Sequence, residues 1–354
     1  PFCTAQLGDL GAEVIKVEPP GKGDPVRGQG QIRDGFSWYF ANFNRNKRSI
    51  TLDLYKEEGR EVLRRLIAGA DVVVENFRPG VAERLGIGAK ALRAANPRLV
   101  YASVSGFGQA GPLADRPAYD IIVQAMSGLM SITGEPEGAP TLVGEAFGDL
   151  IAGLFASWAI LAALHRRQAT GEGGEIDVAM FDCLLAMMPT ATCRFFATGQ
   201  VPRRVGNRHP LSAPFGAFRT ADGHAIVAVL NSRLFAQLCG AIGRPELAAE
   251  PRYATDALRL ENEAPLRQAI EAWSGRLPTA EVVAQLSALG VPAAPIDDVG
   301  AAATSAQAAA RGLGNVEILT RDVVRGTAVG VTALGLRGAR AAETGAEKAR
   351  LATE

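Results

Sequence analysis

The hydrophobic pattern is dominated by one run, residues 150–164, that carries almost no polar side chain. A run that long reads as a buried helix. At its head stands Asp149, in Gly144-Glu145-Ala146-Phe147-Gly148-Asp149. Upstream, apolar runs of strand length alternate with stretches of helical period. Residues 3–10 read as a helix, and 12–18 as a strand stopped by Pro19-Pro20-Gly21. A second strand over 49–54, an amphipathic helix over 56–68 and a third strand over 71–77 follow. Pro79 then opens another helix, and a fourth strand over 98–105 ends at Gly106-Phe107-Gly108. Val/Ile-rich strands separated by helices predict an α/β fold, a doubly wound parallel sheet with helices on both faces.

The texture changes near residue 215. Residues 215–229 read as a β-hairpin turning at Asp222-Gly223. Helices are expected over 232–242, 263–275 and 279–289, the last with Thr279 as N-cap and Gly290 just past its end. This is a smaller α+β domain. The expected organisation is a large domain over 1–195, a small domain with its linkers over 196–305, and a return to the large domain over 306–354. The pattern is weakest over 320–354.

Composition adds exclusions. The 354 residues are 47% hydrophobic and 21% charged, with 37 basic and 37 acidic side chains. That zero balance argues against nucleic acid as a partner, because phosphate neutralisation needs an excess of Lys and Arg. Cys3, Cys183, Cys193 and Cys239 have neither metal-ligand nor redox spacing. They are expected to pack as small hydrophobes in a reducing compartment, the cytoplasm or an organellar matrix; no metal and no permanently bound cofactor is expected. The apolar run stops at His165-Arg166-Arg167, short for a membrane span, so no membrane association is expected. The chain enters a helix directly at Pro1, whereas a doubly wound fold opens with a strand, so a preceding strand is expected outside this sequence.

The candidate chemistry begins at Asp149. An acid in the first helical turn faces unpaired backbone N–H groups and the positive end of the dipole, which favours its ionised form. A buried, ionised, glycine-flanked carboxylate is a candidate nucleophile; an aspartate there also reads as a plain N-cap. Lys47 and Arg48 form a basic pair suited to phosphates, and Arg27 is a further candidate. Glu18, ending a strand, stands where a ribose-binding acid would, but no G-x-G-x-x-G precedes it, which leaves a nicotinamide dehydrogenase poorly supported.

Several motifs, in order, carry a resemblance: Leu10-Gly11-Ala12-Glu13-Val14-Ile15-Lys16-Val17-Glu18, Gly23-Asp24-Pro25-Val26-Arg27, Asn44-Arg45-Asn46-Lys47-Arg48-Ser49, Val74-Glu75-Asn76-Phe77-Arg78-Pro79-Gly80 and Ser105-Gly106-Phe107-Gly108-Gln109. Over roughly residues 1–315 the chain resembles the class III coenzyme A transferases, which include formyl-CoA transferase, carnitine CoA-transferase and several dicarboxylate CoA-transferases. After about residue 320 it departs from the family's usual tail. The resemblance implies a Rossmann-type large domain, an interlocked homodimer, and a glutamine-bearing active-site loop ahead of Pro1. It places Asp149 on the family's catalytic aspartate, Tyr119 on an active-site tyrosine, and Asn76, Phe77, Arg84, Leu85 and Leu52 around the CoA moiety. Gly148 would permit close backbone approach to substrate.

The expected partners are therefore an acyl-CoA and a carboxylic acid. The basic stretch Pro202-Arg203-Arg204-Val205-Gly206-Asn207-Arg208-His209 resembles that of dicarboxylate-using members, with succinyl-CoA as donor. Arg203, Arg204, Arg208 and His209 are candidates to clamp a distal carboxylate. Two alternatives stay open. An α-methylacyl-CoA racemase shares the fold but carries a histidine where this chain has Tyr119, because proton removal and return need an acid/base pair. A catalytically inactive CoA-binding relative is the other.

Overall fold

The computed structural model describes residues 1–311. They divide into two compact units. The first comprises Pro1–Met130, Leu142–Pro202 and, of the described C-terminal residues, the helix Ala306–Arg311; the second comprises Ser131–Thr141 and Arg203–Ser305. The expected return of the chain over 306–354 lies outside the described residues beyond Arg311.

The first unit holds two parallel sheets. Val14–Glu18 pairs with Lys47–Thr51, Glu18 lying opposite Thr51. Val100–Ser105 lies between Val72–Glu75 and Gly174–Ala179, both parallel to it. The strand over 174–179 was not anticipated. The central strand is apolar on both sides because both faces are covered. Val100 and Ala102 join a core with Val123, Ala152, Ala156, Ile160 and Leu184. Leu99 and Tyr101 join another with Leu63, Ile67, Ile87 and Leu92. Each fully buried valine, leucine or isoleucine among them contributes roughly 1.5–3 kcal/mol of burial free energy.

The helix extends past the apolar run at both ends, to 24 residues, Phe147–Thr170. By length and composition it would reach across a bilayer, so the expectation that it is too short is overturned. Ala152, Ala156 and Ile160 are fully buried in the core. Gly153 lets the N-terminal helix Phe2–Asp9 lie close: a Cβ there would stand 3.1 Å from the Cys3 nitrogen and 3.2 Å from Phe2 Cβ.

The second unit is built on an antiparallel sheet. Phe215–Arg219 and His224–Ala228 form the hairpin, and Ala293–Pro295 adds a third strand beside the latter. Helices Ser232–Ala241, Glu263–Ser274 and Thr279–Ala288 pack their apolar stripes on it through Leu238, Ile270 and Leu286, all fully buried. Asn231 caps the first of these helices, its Oδ1 accepting the Leu234 N–H at 2.9 Å. Thr279 is not an N-cap. It is the first helical residue, and Asp222 from the hairpin turn accepts its N–H at 2.8 Å.

Candidate active site

A cavity of about 640 Å³ opens in the first unit at the carboxyl ends of Val72–Glu75 and Val100–Ser105. Ligand crevices in open parallel sheets form at this end of the strands. Ser105 and Gly106 form part of its wall, and Asn76 and Phe77 come from the turn after the neighbouring strand. Tyr119 is contributed by the residue capping the Asp120–Met126 helix, and Asp149 by the first turn of the long helix.

Local sequence explains these positions. The side-chain amide of Asn76 donates to the Val104 carbonyl at 2.8 Å, tying the turn to the adjacent strand. Glu75 accepts the Phe77 N–H at 2.7 Å, and burial pushes its carboxyl pKa up. Gly106 allows the strand end to meet the segment carrying Tyr119, since a Cβ there would lie 2.2 Å from that of Ala118. The long helix begins at Phe147 with Ala146 as N-cap, so Asp149 is its third residue and not the cap.

Asp149 departs from expectation in two ways. It is exposed to the cavity rather than buried. Its pKa is shifted up, not down: desolvation by the surrounding walls is the main cause, followed by the neighbouring Asp120 carboxylate. The N–H groups of the first turn do not outweigh these effects, and one of them, on Gly148, is already taken by Asp120 Oδ1 at 2.7 Å. Gly148 thus serves close approach between protein segments: a Cβ on it would sit 3.0 Å from that oxygen.

Of the expected site residues, Asp149, Tyr119, Asn76 and Phe77 line this one cavity, and Gly148 adjoins it. Tyr119 is 80% exposed, which leaves its hydroxyl open to a substrate. The basic candidates are committed elsewhere. Lys47 donates to the carbonyls of Pro1 and Phe43, each at 2.9 Å, and to Asn44 Oδ1 at 3.2 Å; burial pushes its ammonium down to about 7. It is not presented to a phosphate. Arg48 pairs with Glu13 on the exterior. Arg27 lies over the Phe40 ring and grips Glu18 through two hydrogen bonds of 2.7 and 2.8 Å. Glu18 is accordingly a structural partner, not a ribose acid. Leu52 and Leu85 pack against the core beneath the sheet, and Arg84 is exposed outside the cavity lining.

Arg208 and His209 belong to the second unit. Arg208 pairs with Glu263 at 2.5 Å, and His209 stacks on Phe215 with ring centroids 4.8 Å apart. Arg204 spends its guanidinium on the carbonyls of Glu135 and Gly138, in the 131–141 segment of that unit. Its role as a carboxylate clamp is not supported. Cys3, Cys183 and Cys239 are buried as expected, but Cys193 is exposed.

Among the cavity residues that were missed, three bring positive charge or a phenol. Arg78 and Arg116 bring positive charge to the lining, and Tyr39 adds a second phenol. Burial and the charges of Asp149, Glu145 and Asp120 raise the Tyr39 pKa. Arg78 lay inside a quoted motif, so the signal was present but unused.

The cavity's cationic and phenolic lining around one exposed carboxylate suits an acyl or carboxylate substrate. Comparison with known proteins agrees. The model of CoA-transferase family III matches residues 1–341, farther than the motifs alone reached and into the stretch expected to depart from the family. The acetyl-CoA:oxalate CoA-transferase of Acetobacter aceti is 47% identical over 88% of this chain and 81% of its own. The succinyl-CoA–D-citramalate CoA-transferase of Chloroflexus aurantiacus is 43% identical over 84% and 74%. A crystal structure of a CAIB/BAIF family protein from Brucella suis superposes with a TM-score of 0.78 at 42% identity, covering 88% of this chain and 84% of that one. The chain belongs to the class III CoA-transferase family.

Proposed function

We propose that this enzyme moves coenzyme A from an acyl-CoA, of the succinyl-CoA type, to a dicarboxylic acid, with Asp149 as the covalent carrier. The observation that carries the reading is one exposed carboxylate in a cavity at the strand ends, in a chain whose similar relatives are named for oxalate, citramalate, glutarate and mesaconate transfer. The carboxylate attacks the donor thioester carbon and expels CoA thiolate, giving a mixed anhydride. The thiolate then attacks the Asp149 acyl carbon, releasing the donor acid and leaving an aspartyl-CoA thioester. The acceptor carboxylate attacks that thioester and expels the thiolate again. Thiolate attack on the acceptor's acyl carbon yields the new acyl-CoA and restores Asp149. Each exchange of near-equal leaving groups is easier than direct displacement of one acid by another.

In this reading Asn76 and Phe77 meet the CoA arm, Tyr119 faces the acyl group, and Arg78 and Arg116 answer the negative charges of substrate. Arg27, Lys47, Arg48 and Arg84 serve CoA only by exchanging or extending from their present positions. The Rossmann-type sheet and the interlocked homodimer belong to the same reading. The three buried thiols suit a reducing compartment, cytoplasm or organellar matrix. A proton-transferring racemase is disfavoured by the lining: Tyr119 stands in place of the histidine, and no imidazole is among the cavity residues.

The test incubates the enzyme with succinyl-CoA and a panel of mono- and dicarboxylic acids and identifies the CoA esters by mass spectrometry. New dicarboxylyl-CoA esters formed by wild type and absent with Asp149→Ala are the expected result. Exchange that survives in Asp149→Ala overturns the nucleophile. Equal use of monocarboxylates overturns the substrate class.

A further inference from the structure

The turn that carries Asp149 has no cap of its own. Its N-cap is Ala146, which offers no side-chain acceptor, and the first N–H groups of a helix have no partner within it. Another helix supplies the partners. Asp120, first residue of Asp120–Met126, accepts the Gly148 N–H on Oδ1 at 2.7 Å. Its Oδ2 accepts from the side-chain amide of Gln124 at 2.8 Å. The same Gln124 nitrogen donates to the Glu145 carbonyl at 3.1 Å, and Gln124 Oε1 accepts the Val143 N–H at 3.1 Å. Gln124 is fully buried. Two side chains thus engage three backbone groups of the segment 143–148 from outside it.

We propose that Asp120 and Gln124 form a positioning brace that fixes the place of Asp149 by holding the backbone on its N-terminal side. The inference rests on the reading of Asp149 as nucleophile. The brace has a fixed polarity. Gly148 and Gln124 both donate to Asp120, so an asparagine at 120 would turn its own NH₂ against one of the two donors. Rotating the Gln124 amide to relieve that clash would put its NH₂ against the Val143 N–H. Only an acceptor with two free oxygens closes the network, which accounts for a second carboxylate so near the first. That second charge also acts on Asp149 directly and raises its proton affinity. A carboxylate of higher proton affinity is the stronger nucleophile once ionised.

The brace is tested on the full-length enzyme by kinetics and by intact-protein mass spectrometry of the CoA adduct. With Asp120→Asn, kcat is expected to fall about ten- to hundredfold through misplacement of the nucleophile. KM for the acyl-CoA should stay within about twofold of wild type. The acid limb of the rate profile should move to lower pH, because the like charge is gone. Gln124→Met, which keeps volume but not hydrogen bonds, should lower kcat with the acid limb unmoved. It carries the test if Asp120→Asn does not fold.

Asp120 and Tyr39 are the titrating groups that act electrostatically on or respond to Asp149, while Cys3, Asp24, Arg78 and Arg116 line the same cavity. All but Asp120 are common to the variants, so the difference in the acid limb reports Asp120. Asp120→Glu, which restores charge and acceptors, should return the acid limb toward wild type. A wild-type adduct on Asp149 with unchanged kcat in folded Asp120→Asn and Gln124→Met overturns the brace alone. A loss confined to KM does the same. A wild type that forms no adduct on Asp149 overturns the nucleophile, and the brace with it.

Discussion

Asp149 holds a desolvated negative charge beside a second one, an arrangement that opposes stability and favours reaction. Two consequences separate the roles. Asp149→Ala removes like-charge repulsion without opening a core cavity, since the side chain is exposed to the cavity. The melting temperature of this variant should equal or exceed that of wild type while transfer is lost, as calorimetry beside the exchange assay will show. A fall of several degrees would mean that the carboxylate is structural. The second consequence is the acid limb of activity. With Asp149 as the proposed nucleophile the reactive form is the carboxylate, and its folded pKa is raised, so activity should begin to fail at a higher pH than for an ordinary aspartate, near 3.9. A rate profile with its acid midpoint at or below about 3.9 would contradict that shift.

At the scale of elements, the strand Val14–Glu18 is fastened at its end by one buried carboxylate. Glu18 accepts two hydrogen bonds from Arg27, one from the Asp24 N–H and one from Ser49, which sits on the paired strand. The Arg27 bond is the largest cause of a carboxyl pKa held down at about 2, against an ordinary 4.5. A depressed folded pKa gives stability that is complete above the unfolded value and is lost as pH falls toward 2. Glu18→Gln should therefore cost about 1–3 kcal/mol at neutral pH and flatten the stability curve between about pH 4.5 and 2, measured by urea denaturation across that range. An unchanged acid slope would show that the fastening lies elsewhere.

The same element shows what a sequence can and cannot convey. The strand itself was legible because Val14, Ile15 and Val17 form an apolar run closed by prolines. Glu18, Arg27 and Lys47 were not, because residue type marks a charge as available and only tertiary contact shows it to be spent. The strand Gly174–Ala179 escaped for a related reason: Glu175 and Asp177 interrupt its apolar positions, and Asp177 is engaged by the Gln109 N–H, 68 residues away. Asp149 was legible through its place at the head of the long run. Asp120 and Gln124 act across 19 to 28 residues on backbone groups, and no local pattern encodes that.

For the whole molecule, the chemistry sets a condition that one chain leaves open. In the proposed mechanism an aspartyl-CoA thioester and its anhydrides would be destroyed by water, so transfer without hydrolysis needs a closed site. Yet Asp149 is exposed and Tyr119 is 80% exposed in the single chain. The first unit also presents large apolar side chains: Trp158 is 57% exposed and Leu161 42% on the long helix, and Phe196 is 83% exposed. Under the homodimer reading a second copy covers such surface, and closing the site and burying these side chains become one event. Wild type should then sediment at about twice its single-chain mass. Trp158→Glu combined with Phe196→Glu would place charges in that apolar contact, where an unpaired charge is costly, and should shift the protein to monomer. The functional signature is more specific than lost activity. Because Asp149 and its brace remain, the monomer should still open the donor thioester, but free acid and free CoA should rise at the expense of the new acyl-CoA. A monomeric variant with the wild-type ratio of transfer to hydrolysis would show that a single chain excludes water by itself, and would remove the catalytic reason for the dimer.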